Sequence, residues 1–136
     1  MEKRISARGI IIDNDSVILM FRRKINEDGN VKEYYVLPGG GVEENETLDE
    51  AVMREMGEEF GVKVNIISFL GVDEKEFSIA NFYHLSIKEG VPHLGGPELA
   101  KNCRENYYEI KYVKISELDS IDVMAKDMIL KAYNNQ

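Results

Sequence analysis

The chain has 136 residues, 43% hydrophobic and 31% charged, with 25 acidic against 17 basic side chains and a net charge of −8. That length fits one domain, residues 1–136, and the composition argues against a disordered chain. The negative balance argues against a nucleic-acid polymer as partner, though not against a small phosphorylated ligand whose charge a metal ion could offset. Cys103 is the single cysteine, so no internal disulfide can form and a reducing cytoplasm is the simplest home. No run approaches the ~18 apolar residues of a membrane span, and the start "MEKRISARGIIID" lacks the apolar core of a signal peptide.

In chain order, "RISARGIIID" and "SVILMFRRK" are β-rich runs separated by Asn14 and Asp15, which suits a hairpin. "INEDGNVKE" reads as a polar loop with a turn at Asp28-Gly29, and "YYVL" as a short strand ending at Pro38. Gly39, Gly40 and Gly41 follow, either a plain turn or a place where backbone approaches a ligand. From Thr47 to Phe60 the pattern is helical, and Gly61 stops it. "VKVNIISFLGVDE" and "KEFSIANFYHLSIKEG" are two further strands. In the second, Phe77, Ile79, Tyr83, Leu85 and Ile87 share one parity, interrupted by Asn81. Residues 89–106 form a long aperiodic loop, the kind that usually carries function. "YYEIKYVKI" is a last strand and "VMAKDMILKAY" a closing helix. This order predicts an α/β fold, a mixed sheet covered by helices on both faces.

The helix after the glycines carries the chemistry. Leu48, Val52, Met56 and Phe60 define its apolar stripe, while Glu55 and Glu59 stack four residues apart. Glu59 projects within about 20° of Leu48 and Val52, and Glu58 lies on the flank. Like charges so placed repel by roughly 0.2–0.5 kcal/mol per pair even on an exposed helix. Burial raises that cost unless the charges are paired or coordinated. Arg54 can pair with Glu58, but one arginine does not neutralise three glutamates. Two readings follow: a solvated acidic face, or an oxygen-ligand site for Mg²⁺ or Mn²⁺.

Together these residues resemble the signature of the Nudix hydrolase superfamily, of which MutT is a member: G-x5-E-x7-R-E-U-x-E-E-x-G-U, with U a bulky aliphatic. It falls on Gly40, Glu46, Arg54, Glu55, Met56, Glu58, Glu59, Gly61 and Val62, residues 40–62. All fixed identities are present. At about one chance in fifteen for each, a random match is on the order of one in 10⁶ over the chain. Met56 replaces the usual aliphatic, and Gly57 inside the helix costs about 1 kcal/mol of helix stability relative to Ala. "SVILMFRRK", "YYVLPGG" and "YVKISEL" resemble the family's flanks.

The resemblance implies the Nudix α/β/α sandwich and metal-dependent hydrolysis of a diphosphate linked to another moiety, usually a nucleoside. It implies that Glu55, Glu58 and Glu59, with the Gly39 carbonyl, hold Mg²⁺ or Mn²⁺, and that Arg54 and Glu46 orient them. The general base is a glutamate of the box or one from a distant loop. Glu105 is the first distant candidate, with Glu98 and Glu109 behind it. Arg8, Arg22 and Arg23 stand where family members often place phosphate-contacting arginines, and Gly40 where backbone meets the substrate. Phe82 and His84, opposite in parity to their strand's apolar residues, either line a nucleobase pocket or pack under a helix. Homodimers are common in the family. A nucleoside triphosphate is the substrate expected by elimination, with sugar nucleotides beside it, because the chain shows no pattern typical of ADP-ribose, dinucleoside-polyphosphate, NADH or CoA hydrolases. The rivals are a Nudix-fold binding or sensor domain without turnover and an unrelated acidic metal-buffering domain.

Overall fold

Two hydrophobic clusters on opposite faces of one sheet organise the chain. The computed structural model describes residues 2–95 and 102–136. Strands β1 (Arg4–Asp13) and β2 (Ser16–Ile25) form the expected hairpin, with Asn14 turning at φ 56°, a left-handed conformation its short polar side chain tolerates. Strand β3 (Val31–Val36) begins earlier than its apolar residues indicate. Val31, Lys32 and Glu33 continue the ladder against Ile25, Lys24 and Arg23. Their exposure hides this extension from hydrophobic patterning.

The three glycines are a short strand rather than a plain turn: β4 (Gly39–Gly41) pairs antiparallel with Ser6, Ala7 and Arg8 of β1. Helix α1 (Leu48–Phe60) starts at Thr47, whose hydroxyl accepts from the Glu50 N–H while the Glu50 carboxylate accepts from the Thr47 N–H. Strands β5 (Lys63–Glu74) and β6 (Ser78–Glu89) are antiparallel, and β6 runs parallel to β1 from Arg4↔Ser78 to Ile11↔Leu85. Strand β7 (Asn106–Lys114) lies along β2. A 3₁₀ turn over Ile115–Ser120 follows, and helix α2 (Lys126–Asn134) closes the described chain. Val123, expected in that helix, instead bridges to Tyr35.

Val52, Met56 and Phe60 of α1 pack on Ala7, Ile11, Ile18, Met20, Tyr83 and Leu85. Ile129 and Ala132 of α2 pack on Ile10, Val17, Leu19 and Phe82 from the other side. This is the expected mixed sheet between helices. Asn81, which broke the parity of β6, is buried and donates from Nδ2 to the Ser6 carbonyl at 3.0 Å. A buried amide with a partner is tolerated inside an apolar row. No helix among the described residues is long and apolar enough to cross a membrane.

Candidate active site

Strand β4 and helix α1 meet where Glu59, only 6% exposed, accepts the Gly39 N–H on Oε2 at 2.7 Å. The expected proximity of Glu59 to the apolar stripe is therefore real, and a backbone donor stabilises its buried charge. Gly39 has φ 140°, and a side chain there would collide with the Ala7 carbonyl. Only glycine lets β4 lie this close to β1. At Gly40 an added Cβ would stand 2.7 Å from the Glu55 carboxylate, so the strand leaves space that Glu55 uses.

Arg54 is the hub. Its Nε and Nη2 donate to Glu46 Oε2 and Oε1 at 2.7 and 3.0 Å, a two-pronged pairing. Nη1 reaches Glu55 Oε1 at 2.9 Å and Glu58 Oε2 at 3.1 Å, and Nη2 also donates to the Gly41 carbonyl at 3.0 Å. Hydrogen bonding from Arg54 holds the Glu46 carboxyl down to about 2, and that same pairing raises the Arg54 guanidinium above its ordinary value.

Glu55, Glu58 and Glu59 line one cleft of about 450 Å³ together with Gly39, Gly40, Gly41, Arg4, Arg8, Arg22 and Tyr108. Acidic and basic side chains thus line the same cleft. Arg8 donates from Nη1 to the Leu37 carbonyl at 3.0 Å and the Gly39 carbonyl at 3.4 Å. Burial pulls its guanidinium below the usual value, against the opposing pull of Glu59.

Strand alternation separates the neighbouring arginines. Arg22 continues the parity of Ile18 and Met20 and faces α1; Arg23 continues that of Val17 and Leu19 and faces away. Arg22 Nη2 donates to Asn106 Oδ1 at 2.8 Å and to the Tyr108 hydroxyl at 2.9 Å. Arg23 lies over the Tyr107 ring at 4.9 Å and does not line the cleft. Of the pair, Arg22 is the residue the fold brings to the carboxylates. The sequence carried that signal in the period of β2.

Glu105 is exposed in the turn before β7 and is not among the cleft-lining residues. Glu109 pairs with Tyr107 and Lys111 on the opposite face, at 2.8 and 3.1 Å. Glu98 lies outside the described residues. Tyr108, which sequence reasoning did not single out, lines the cleft and supplies both a hydroxyl and a ring, 4.1 Å from the Arg22 guanidinium carbon. A second hollow of about 220 Å³ shares Arg4, Arg8 and Val36 with the cleft and is walled by Tyr35, Leu37, Phe82 and Met124. Phe82 lines it; His84 does not.

The donor set suits a hard divalent cation: three carboxylates and nearby backbone carbonyls. Among the described residues, no three acidic, His or Cys side chains are already gathered around a common point. Arg54 engages Glu55 and Glu58, while Glu59 is turned to Gly39. Ligation would require these carboxylates to turn from those partners toward a common point.

A family model described as NUDIX domain matches residues 2–128. An ADP-ribose pyrophosphatase of Methanocaldococcus jannaschii is 47% identical over 62 residues, 46% of this chain and 35% of that protein. An RNA pyrophosphohydrolase of Stutzerimonas stutzeri is 36% identical over 62 residues, 46% of this chain and 36% of that protein. These matches span about a third of the length of those relatives. The crystal structure of a MutT NUDIX hydrolase from Burkholderia pseudomallei has the same fold, with a TM-score of 0.74 at 22% identity over 97% of this chain and 98% of that one.

Proposed function

The chain belongs to the NUDIX domain family, and from that premise we propose that it is a divalent-metal-dependent pyrophosphohydrolase of a nucleoside triphosphate. The observation that carries this reading is one cleft lined by both Glu55, Glu58 and Glu59 and Arg4, Arg8 and Arg22. Carboxylates alone repel a polyphosphate and arginines alone repel a cation. The combination accommodates a metal–phosphate pair.

In this reading Glu55, Glu58 and Glu59, with the Gly39 carbonyl, hold Mg²⁺ or Mn²⁺. A cation held there would supply charge to offset the phosphate oxygens and would make an attacking water more acidic. Arg54, fixed by Glu46, sets the positions of Glu55 and Glu58. Arg8 and Arg22 take up phosphate charge, and Gly40 lets the chain pass close to the phosphates. The proton of the attacking water goes to Glu55 or Glu58, which line the cleft, in preference to Glu105, which does not. The hollow beside the cleft, with Tyr35 and Phe82 in its wall, offers an apolar surface for the base.

The triphosphate rests on elimination among subfamily patterns and on the adjoining hollow. Sugar nucleotides and the substrates named for the relatives belong on the same panel. A cytoplasmic home is part of the proposal, supported by the single cysteine, and so is a homodimer, supported by the exposed Ile67, Phe69 and Val72 of β5. The test is phosphate release from nucleoside di- and triphosphates, ADP-ribose, dinucleotides, sugar nucleotides and 5′-triphosphorylated RNA with Mg²⁺ or Mn²⁺, beside Glu59→Gln. Metal-dependent turnover that the variant lacks supports the enzyme and identifies its substrate. Metal binding without turnover of any of them favours the sensor reading.

A further inference from the structure

The C-terminal end of α1 carries Glu58 and Glu59, and its last carbonyls have no partners within the helix. Gly61, in the left-handed conformation at φ 66°, turns the chain so that its own N–H reaches the Gly57 carbonyl and the Val62 N–H reaches that of Met56. This closing turn leaves the carbonyls of Glu58, Glu59 and Phe60. Residues 90–95, which follow β6, wrap around that turn. The His93 N–H donates to the Phe60 carbonyl at 3.0 Å, and the Gly95 N–H donates to the Glu59 carbonyl at 3.0 Å. The backbone of Gly95 lies so close that an added Cβ would stand 2.7 Å from the Glu58 carbonyl oxygen. The His93 ring covers Gly61 and would collide with any side chain there.

We propose that Gly95 is a positioning residue: its N–H and its lack of a side chain hold the turn of α1 that presents Glu58 and Glu59 to the cleft. The proposal rests on the metal reading of that cleft. The carboxylate of Glu59 is anchored from one side by the Gly39 N–H, and its backbone from the other by the Gly95 N–H. A side chain at 95 must push the strap or the turn outward, because backbone is the obstacle. The shift reaches both glutamates, since a helix turn moves as a unit.

The test compares the wild type with Gly95→Ala, Gly95→Val and the control Val91→Ala, whose side chain is 77% exposed. Mn²⁺ affinity is measured without substrate from the electron paramagnetic resonance of free Mn²⁺. Amide hydrogen exchange is followed at Glu58, Glu59 and Phe60. Expected is an affinity loss of about fivefold for Gly95→Ala, the size of one lost hydrogen bond, and a larger loss for Gly95→Val. The nucleotide KM at saturating Mn²⁺ and the circular dichroism stay unchanged, and Val91→Ala behaves as wild type. A merely structural role would instead lower folding stability and leave Mn²⁺ affinity alone. Should Gly95→Val not fold, Gly95→Ala decides. Mn²⁺ affinity within twofold of wild type in the variants overturns the proposal. If the wild type itself binds no Mn²⁺, the metal reading falls and exchange decides: faster exchange in Gly95→Ala supports the strap's hold on the turn, unchanged exchange overturns it.

Discussion

Arg54 and Glu46 are joined by two parallel hydrogen bonds, Nε to Oε2 at 2.7 Å and Nη2 to Oε1 at 3.0 Å. The pairing fixes the plane of a guanidinium whose third nitrogen reaches Glu55 and Glu58. Glu46→Gln keeps one acceptor but loses the charge and one of the two prongs. Expected is a fall in kcat/KM of about tenfold or more, the usual scale for a residue that orients ligands. Steady-state assays across a Mg²⁺ titration check it. The pairing also has a pH signature. Because the Glu46 carboxyl is held down to about 2, its contribution to stability is complete above the ordinary carboxylate value and is lost as pH falls toward about 2. Wild-type stability should therefore decline more steeply with acid than that of Glu46→Gln, as read by denaturant melts between those limits.

Glu59→Gln tests the buried carboxylate. The amide oxygen can still accept the Gly39 N–H, so β4 and α1 stay docked and circular dichroism matches the wild type. The negative charge is gone. Hydrolysis and Mn²⁺ affinity are expected to drop by about 10²-fold. A variant with full activity would mean that the Glu59 charge has no part in the chemistry.

Much of this arrangement was legible because it is local. The spacing of Leu48, Val52, Met56 and Phe60 defines the helix face, and the same arithmetic buries Glu59 beside it. What escaped depends on partners distant in sequence. Gly39–Gly41 is a strand only because Ser6–Arg8 lies alongside, and polar Lys32 and Glu33 join β3 only because β2 extends beside them. Tyr108 enters the site through its pairing with Arg22 across the β2–β7 ladder, a register that spacing within β7 does not reveal. Position before the last strand placed Glu105 near the chemistry, but the turn that carries it leaves its side chain in solvent.

Arg22 and Arg23 form a paired test of strand parity. Arg22→Ala removes a cation from the cleft and the hydrogen bond to the Tyr108 hydroxyl. Its nucleotide KM is expected to rise about tenfold, equivalent to ~1.4 kcal/mol of lost binding. Arg23→Ala removes a guanidinium stacked on Tyr107 on the other face and leaves KM within about twofold. Equal losses in the two variants would contradict the cleft assignment. Direct titration of a non-hydrolysable nucleotide separates binding from turnover.

His84 is 3% exposed, and among the described residues nothing hydrogen-bonds its Nδ1; burial holds the imidazole below its ordinary value, which favours the neutral ring in the fold. At pH above about 6.5 the ring is neutral in both folded and unfolded chains, and protonation costs nothing. As pH falls below that value, the unfolded chain binds a proton that the folded chain refuses. Stability therefore declines with acid until the depressed folded value is reached. His84→Leu removes the titrating ring and the unpartnered nitrogen while keeping a comparable volume. It should gain about 1 kcal/mol at neutral pH and flatten the decline that sets in below about pH 6.5. Denaturant melts of both proteins at matched pH check this. An equally steep decline in the variant would move the acid sensitivity to the carboxylates instead.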